Sequence, residues 1–414
     1  MDILIEELDE SLWVAALNEG KLEGLEVEPA GEEVRWGSIY QAKVKTISAA
    51  LDAVYIDLDG ENTGILFNKD VRITNKDGEI EKGGAVAIGK TLKPGQIITV
   101  QAKSAYIAQA KDFASAQTES GKLPQMSMDI TLPGRYLIYC PMMQRNRISA
   151  RIRDKKLRKN LHKMLDALED INGCILRASA AHTQTDILMR EGKILKDMWE
   201  QIQPHLDGAD IGLIMEGPNA IQRMLSDQAV RTIDRIEIGV MSHFHLAEEW
   251  CELFAPDLVT KIEPVQLDNA TYDLALFDYR DIIGQIEELF QSYAMLQGGG
   301  NIIMQDTAAL TAVDVNRSGA SSANLDINIQ AAKEVARQIR LRNTGGIVIV
   351  DFLRMKSKTE QGKMLAALED AILDDPCTVQ IHGMTPLGLV EITRKRRTPP
   401  LHERFDVEQL FQNL

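Results

Sequence analysis

The run Ala308-Ala-Leu-Thr-Ala-Val-Asp-Val-Asn316 begins the clearest α/β unit of the sequence. A helical segment near residues 326–342 follows it and stops at Asn343-Thr-Gly-Gly346, a glycine signal for the end of a helix. The apolar run Ile347-Val-Ile-Val-Asp351 comes next. A parallel strand–helix–strand unit needs a crossover of about a dozen residues or more, and the roughly 30 residues between these two strands are enough. These segments therefore predict an α/β domain in the last third of the chain.

Polar side chains stand at the carboxyl ends of both strands. Asp314 and Asn316 are two residues apart, so on a strand they point to one face, and Asp351 closes the second strand. Open α/β sheets bind ligands at this edge, and two carboxylates with room for water suit Mg²⁺. These residues therefore predict a magnesium site in which Asn316 orients a carboxylate or a water. The alternative that the spacing leaves open is that each aspartate only caps the turn after its strand.

Length and composition are those of a multidomain globular protein. The chain has 414 residues, 44% of them hydrophobic and 26% charged, and this length corresponds to roughly two to four domains. No apolar run reaches ~18 residues, so no membrane-spanning helix is expected, and the acidic N-terminus lacks the basic flank of a secretory signal. The four cysteines lie far apart without a Cys-x-x-Cys pair, which favours unpaired thiols and a cytoplasmic protein.

The net charge of −15 conceals a strong segregation of charge. Residues 1–33 carry eleven acids against one base (net −10) and residues 246–290 eleven against two (net −9), whereas residues 145–163 carry nine Lys or Arg against one acid (net +8). Further bases cluster at Arg337, Arg340 and Arg342, at Arg354, Lys356 and Lys358, and at Arg394 to Arg397. This pattern is typical of a protein that binds an anionic polymer. For residues 145–163 the alternative is a solvated helix face, but with nine bases in this stretch we favour contact with phosphates.

Residues 36–103 read as a small β-barrel. Short apolar runs such as Ala53-Val-Tyr-Ile-Asp57 and Gly64-Ile-Leu-Phe67 alternate with turns, and about five such strands suit a barrel of the OB type. Gly84-Ala-Val-Ala-Ile-Gly-Lys-Thr91 matches the pattern of a phosphate-binding loop. It has no apolar strand before it and no room for a helix before Pro94, so we interpret it as a loop between barrel strands.

Taken in order, these segments resemble the ribonuclease E/ribonuclease G family. Its catalytic core is similar to Thr311-Ala-Val-Asp-Val-Asn316, Ala336-Arg-Gln-Ile-Arg-Leu-Arg342, Gly345-Gly-Ile-Val-Ile-Val-Asp-Phe352 and Gly388-Leu-Val-Glu-Ile-Thr-Arg394. Its S1 RNA-binding barrel resembles Gly37-Ser-Ile-Tyr40 and Ala53–Asp57, and its 5′-sensor region resembles Leu132-Pro-Gly-Arg-Tyr-Leu137 and Arg147-Ile-Ser149. The resemblance extends from about residue 2 to residue 401.

The resemblance implies a multidomain α/β fold, α+β overall. An S1 (OB-fold) barrel and a 5′-sensor region are inserted in an RNase H-like domain, which a DNase I-like α/β catalytic domain follows. The implied boundaries are 1–34 plus 222–289 for the discontinuous RNase H-like domain, 35–125 for the S1 domain, 126–221 for the 5′-sensor region, 290–402 for the catalytic domain and 403–414 for a C-terminal tail.

The same resemblance implies an endoribonuclease that depends on Mg²⁺, with Mn²⁺ as a substitute. It would cleave single-stranded RNA to 5′-phosphate and 3′-hydroxyl ends, in RNA processing or decay. Asp314 and Asp351 are implied to hold the ion and Asn316 to support them. The implied RNA contacts are Tyr55 and Lys122, to which the basic stretch adds Arg151, Arg153, Lys155 and Lys156; the implied 5′-phosphate sensor is Gly134, Ile138 and Arg177.

Several positions depart from the family's pattern. Ile65 stands where the family has a second aromatic residue. Ala178 stands where a threonine follows the sensor arginine, so a weaker preference for 5′-monophosphorylated RNA is expected. His402-Glu-Arg-Phe-Asp406 replaces the Cys-Pro-x-Cys that shares a zinc ion between two subunits, and we expect no counterpart of the small dimerisation domain of ribonuclease E. We therefore expect no zinc, and a monomer or weak homodimer rather than a zinc-linked tetramer.

His243 and His245 lack additional ligands at metal-binding spacing, so we interpret them as structural. The alternative to an enzyme is a non-catalytic RNA-binding protein that keeps a nuclease-like scaffold. The intact Asp314, Asn316 and Asp351 favour the enzyme.

Overall fold

A computed structural model describes residues 1–8, 10–74, 80–105, 123–150, 152, 154–166, 168, 171–208, 210–267, 275–405 and 410. Its strands are, in chain order, β1 (Asp2–Leu8), β2 (Ser11–Asn18), β3 (Lys21–Glu28), β4 (Ile39–Ser48), β5 (Ala53–Asp57), β6 (Thr63–Phe67), β7 (Arg72–Thr74), β8 (Ile80–Lys82), β9 (Ile97–Ala102), β10 (Gln125–Ser127), β11 (Leu132–Pro133), β12 (Leu137–Tyr139), β13 (Arg147–Ile148), β14 (Cys174–Leu176), β15 (Gly212–Met215), β16 (Arg235–Ile238), β17 (Ile262–Pro264), β18 (Tyr293–Met295), β19 (Asn301–Asp306), β20 (Leu310–Asn316), β21 (Gly346–Asp351), β22 (Val379–Met384) and β23 (Val390–Arg394).

The α-helices are α1 (Ile88–Thr91), α2 (Lys155–Asp166), α3 (Thr185–Ile202), α4 (Ala220–Asp227), α5 (Met241–Phe254), α6 (Pro256–Val259), α7 (Ala275–Tyr279), α8 (Ile283–Glu287), α9 (Asn324–Leu341), α10 (Lys358–Ala371) and α11 (Leu401–Arg404). Short 3₁₀ helices lie at Asn68–Asp70, Ala178–His182, Gln203–Asp207, Glu288–Phe290 and Ile372–Asp374. None of the described helices is long and apolar enough to cross a membrane.

The chain folds into two compact units. The first contains residues 1–27, 234–244 and 262–414, and the second contains residues 28–233 and 245–261. Both combine sheets with helices, which confirms the expected multidomain fold of the α+β type.

The first unit contains two sheets. One has five strands in the order β17-β16-β1-β2-β3, and its core includes the fully buried Trp13 and Phe277. The other has six strands in the order β18-β19-β20-β21-β23-β22. In this second sheet β20 and β21 are parallel, while the remaining neighbours are antiparallel.

The predicted strand–helix–strand segment is formed by β20, α9 and β21, and both of its strands belong to the six-stranded sheet. Buried residues of β20 and β21 pack with those of α9 and α10 in one hydrophobic core. Helix α9 ends beside Asn343, which takes the left-handed conformation (φ 54°) that commonly ends a helix. The stop predicted from the glycines is therefore made by the asparagine before them.

The second unit contains a closed barrel. Strands β4, β5, β6, β10 and β9 are neighbours in this order, β9 pairs again with β4, and β15 joins β4 from outside. Alternate residues such as Val54, Ile56 and Leu66 fill its core. The Gly84–Thr91 segment lies between β8 and β9 and contains only the four-residue helix α1, in agreement with a connecting loop.

A smaller sheet, in the order β11-β12-β14-β13, follows the barrel in the second unit. Helix α3 covers it through buried residues such as Leu188 and Leu195. All four cysteines are buried and unpaired, as expected, and burial raises the pKa of Cys140, Cys174 and Cys251 to about 12.

Candidate active site

Asp314 and Asp351 are direct partners in the parallel ladder between β20 and β21. On β20 the residues Thr311, Val313 and Val315 are buried, so the alternate residues point to the opposite, exposed face. Both aspartates are exposed there. The amide Nδ2 of Asn316 donates to Oδ2 of Asp314 at 3.0 Å. The structure thus brings together the three side chains predicted to form the metal site.

This donor set fits a hard divalent cation. Neighbouring strands lie about 4.8 Å apart, close enough for two carboxylates to share one ion. Neither Asp314 nor Asp351 forms an ion pair with another described residue, so their charge is not neutralised within the described protein. No group of three or more His, Cys, Asp or Glu among the described residues is placed to hold a metal. An ion at this pair would keep much of its water shell, which is the habit of Mg²⁺.

The basic clusters near this sheet have different roles. Arg354, Lys356 and Lys358 are exposed in and after the loop that follows β21. By contrast, Arg340 donates to Glu23, and the buried Arg394 pairs with Asp375.

Arg337 and Arg342 are also engaged within the protein. Arg337 donates to the carbonyl of Leu22 at 2.7 Å, and Arg342 donates to that of Gln291 at 2.5 Å. Burial lowers the pKa of Arg342 to about 10. The interpretation of these arginines as part of a phosphate-binding face is therefore wrong, because their guanidinium groups stabilise the fold.

The barrel carries a small aromatic surface. Tyr55 on β5 lies opposite Ile65 on β6, and both are half-buried. Phe67 points to the same side two residues further on, with the Lys69 ammonium 5.6 Å from its ring centre. The sequence analysis missed Phe67, although the alternation in Gly64-Ile-Leu-Phe67 could have found it. The predicted contact Lys122 lies outside the described residues.

The basic stretch 145–163 includes most of α2 (Lys155–Asp166). Lys155 and Lys156 are exposed in its first turn, while Arg151 and Arg153 lie outside the described residues. Asp154 caps this helix, because its Oδ1 accepts from the backbone amide of Lys156 at 2.7 Å. The lysines therefore face solvent from an anchored helix.

Gly134, Ile138 and Arg177 meet on the small sheet of the second unit. Arg177 donates to the Gly134 carbonyl at 3.0 Å and to Oδ1 of Asp227 at 2.8 Å. The Gly134 amide donates to the Leu137 carbonyl at 2.8 Å. Two donors of the predicted sensor are thus already engaged, and Asp227 is a partner that the sequence analysis missed.

The Ser179 hydroxyl, next to Ala178, is bonded within the fold. The residues after Arg177 form the 3₁₀ helix Ala178–His182. The Ser179 side chain is buried, and its hydroxyl donates to the Arg135 carbonyl at 3.0 Å.

Glu191 on α3 was also missed. It is only 3% exposed, and its Oε1 accepts from the backbone amides of Tyr136 and Leu137, both at 2.8 Å. Burial raises the pKa of Glu191 to about 7, although these amides and the nearby Arg177 and Arg135 oppose the rise. The carboxyl group thus holds the backbone between two of the predicted sensor residues.

The two histidines interpreted as structural lie on α5. His243 Nε2 is 2.9 Å from a carboxylate oxygen of Glu7, and His245 Nδ1 is 3.8 Å from Glu248.

Comparison with known proteins decides the family. A sequence profile of the Ribonuclease E/G family matches residues 131–397, which is more than half of the chain. The chain belongs to this ribonuclease E/G family. Family membership confirms the resemblance noted in the sequence and, with it, the predicted enzyme class, an endoribonuclease.

Family members with similar sequences include both of its named types. Ribonuclease G of Salmonella typhimurium and ribonuclease G of Escherichia coli are each 28% identical to the chain over 406 residues, which cover 95% of the chain and 80% of the relative. Ribonuclease E of Haemophilus influenzae is 29% identical over 404 residues, which cover 95% of the chain and 41% of that relative.

Proposed function

We propose that this endoribonuclease depends on Mg²⁺ and hydrolyses single-stranded RNA to 5′-phosphate and 3′-hydroxyl ends, in RNA processing or decay. One observation carries the proposal: Asp314 and Asp351 are exposed register partners on parallel strands, without an ion-pair partner among the described residues. Mn²⁺ is expected to replace Mg²⁺, since both accept carboxylate and water oxygens.

Each side chain of the site has a role in this proposal. Asp314 and Asp351 hold the ion, and the hydrogen bond from Asn316 fixes the orientation of the Asp314 carboxylate. Bound Mg²⁺ supplies a Lewis acid and makes water a stronger nucleophile. The exposed Arg354 and Lys356 lie three and five residues after Asp351, where their charges can bind RNA phosphates.

The domain assignments belong to the same proposal. We assign the barrel within residues 35–125 as an S1 domain, 126–221 as the 5′-sensor region and 290–402 as a DNase I-like catalytic domain. Residues 1–34 with 222–289 are assigned as RNase H-like, and 403–414 as a tail. The closed five-stranded barrel and the sheet that carries both aspartates support the S1 and catalytic assignments.

RNA binding outside the metal site would use two surfaces. One is the barrel face with Tyr55, to which we add Phe67 because both rings share one side of the barrel. The other is the basic stretch with Lys155 and Lys156. On the basis of the sequence, we add Lys122 to the RNA contacts of the barrel and Arg151 and Arg153 to those of the basic stretch. We expect no zinc and at most a weak homodimer, because His402-Glu-Arg-Phe-Asp406 offers no cysteine ligand.

Cleavage of a 5′-labelled single-stranded RNA tests the proposal. We expect cleavage with Mg²⁺ or Mn²⁺ and none with EDTA. The downstream product should be a substrate for a 5′-monophosphate-dependent exonuclease, and the upstream product should accept a ligated adaptor without phosphatase treatment. RNA binding without cleavage would favour the non-catalytic alternative, and products with 2′,3′-cyclic phosphates would exclude the proposed chemistry.

A further inference from the structure

One row of register partners crosses four neighbouring strands of the six-stranded sheet. Tyr293 on β18 lies opposite Ile303 on β19, Ile303 opposite Asp314 on β20, and Asp314 opposite Asp351 on β21. Register partners point to the same face of a sheet. Tyr293 therefore stands on the face of the two aspartates, about 10 Å from Asp314 at ~4.8 Å per strand.

A second row lies beside the first. Met295 is opposite Asn301, and Asn301 is opposite Asn316. Between Tyr293 and Met295, Ala294 packs against the core on the other face of the sheet. The edge strand β18 thus directs its two large side chains towards the face that carries the metal-site residues.

Both side chains are exposed. Tyr293 is 47% exposed and Met295 is 64% exposed. Within the described part of the chain, the Tyr293 side chain has no hydrogen bond, ion pair or ring contact. Single exposed hydrophobic residues are ordinary on protein surfaces, but here two occur on one face, in register with the proposed site.

The backbone of β18 is firmly held. The amide of Met304 donates to the Ser292 carbonyl at 2.7 Å, and the buried Arg342 approaches the carbonyls of Gln291 and Tyr293 at 2.5 and 3.5 Å. The ring of Tyr293 is therefore presented from a fixed strand, so binding to it would not require ordering of a loop.

We propose, on the basis of the function proposed above, that Tyr293 stacks on a base of the RNA substrate and that Met295 extends this platform. Exposed aromatic side chains on sheet faces are known to stack RNA bases. At about 3.4 Å per stacked nucleotide, the ring reaches a base within roughly three nucleotides of the phosphate held at Asp314. Because every base has a π-face, this subsite tolerates different bases and acts by positioning the strand.

RNAs with one abasic nucleotide test the proposal. A substrate with a single cleavage site, mapped with the wild type in Mg²⁺, is remade with one abasic nucleotide at each position up to four on either side. For the wild type, one of these positions should lower kcat/KM by about 5- to 100-fold, the range of one stacked base.

Variants of Tyr293 identify the residue that the base contacts. On the intact RNA, Tyr293→Ala and Tyr293→Leu should lower kcat/KM by about the factor that the sensitive abasic nucleotide causes in the wild type. With these variants, an abasic nucleotide at that position should cause no further loss. Tyr293→Phe should behave like the wild type. Tyr279→Ala is the matched control, because Tyr279 is 70% exposed but lies on α7.

The outcomes separate the two proposals. An active wild type whose abasic profile is unchanged in Tyr293→Ala overturns the base platform alone. An equal loss for every RNA, or a change in oligomeric state without a change in the profile, assigns Tyr293 to folding or to a protein contact and also overturns it. A wild type without metal-dependent cleavage overturns the proposed function and the platform with it.

Discussion

Arg177 and Asp227 form an ion pair, with Nη2 of the arginine 2.8 Å from Oδ1 of the aspartate. The Asp227 side chain is only 6% exposed, so the pair lies largely out of solvent. Arg177 also donates to the Gly134 carbonyl. A guanidinium group proposed to bind a 5′-phosphate is therefore already matched by a carboxylate of the same unit.

We predict that 5′-monophosphorylated and 5′-hydroxyl versions of one RNA are cleaved at rates within about tenfold of each other. Ala178 offers a 5′-phosphate no side-chain donor, and one hydrogen bond to a charged group changes a rate by roughly ten- to a hundredfold. The rates are compared in single-turnover cleavage assays. A preference well beyond tenfold would mean that another donor rebuilds the pocket, in which case Arg177→Ala should remove it.

Removing the charge of Asp227 should strengthen this preference. In Asp227→Asn the arginine keeps a hydrogen-bond acceptor but loses its counter-charge, so a 5′-phosphate meets a less neutralised guanidinium group. The ratio of the two cleavage rates should rise. Asp257→Asn, which acts on the ion pair with Arg135, is the matched control and should leave the ratio unchanged; a rise in both variants would contradict a specific role of Asp227.

RNA affinity should fall steeply with salt because of the basic stretch 145–163. If about six phosphates of a single strand are neutralised, the slope of log K against log salt is roughly −4. Replacing Arg151, Arg153, Lys155 and Lys156 by alanine should flatten this slope by up to about 3 units. Fluorescence anisotropy at several salt concentrations measures it.

A control for the salt experiment uses Lys333 and Lys363. Both are exposed on α9 and α10, the helices that pack on the face of the six-stranded sheet opposite Asp314 and Asp351. Their double replacement by alanine should change the slope little. If the variant with Arg151, Arg153, Lys155 and Lys156 all replaced by alanine also keeps the wild-type slope, the basic stretch does not contact RNA.

Stability should depend on pH through Glu191. Its pKa is raised to about 7 in the folded protein from an ordinary value of 4.5. The folded state therefore binds the extra proton between these values, and stability is lost as the pH rises from about 4.5 to about 7. The difference corresponds to on the order of 3 kcal/mol.

In the variant Glu191→Gln, the side chain at residue 191 cannot ionise, but its amide oxygen still accepts from the backbone amides of Tyr136 and Leu137. The melting temperature of this variant should fall less than that of the wild type between pH 5 and pH 8. Glu252→Gln, at an exposed position of the same unit, serves as the control. Parallel pH profiles for wild type and Glu191→Gln would show that Glu191 does not titrate in this range.

The sequence predicted best the strands and helices that are determined by residues close together in the chain. The strands around Asp314 and Asp351 and helix α9 lie within two residues of their predicted bounds, because apolar runs and a helix stop are local signals. Asp227 lies 50 residues from Arg177, and Glu191 lies 54 residues from the Leu137 amide. The periodicity of apolar residues in the sequence does not predict contacts between residues so far apart.

Exposure was equally hidden from the sequence. Arg342 and Arg354 both looked like bases of a phosphate-binding face, yet Arg342 is buried against backbone carbonyls and Arg354 is exposed. Tyr293 gave no signal because its neighbourhood depends on the register of four strands. Only the fold determines which arginine or tyrosine faces the site.

We propose above that Asp314 and Asp351 hold the ion on which cleavage depends. The most direct measurement compares cleavage and binding of one single-stranded RNA in Mg²⁺ by Asp314→Asn, Asp351→Asn and the control Asp370→Asn, whose residue is exposed on α10. We predict that the first two abolish cleavage while RNA binding persists, because the basic surface remains, and that the control cleaves like the wild type. Cleavage at the wild-type rate by either Asp314→Asn or Asp351→Asn would contradict the account.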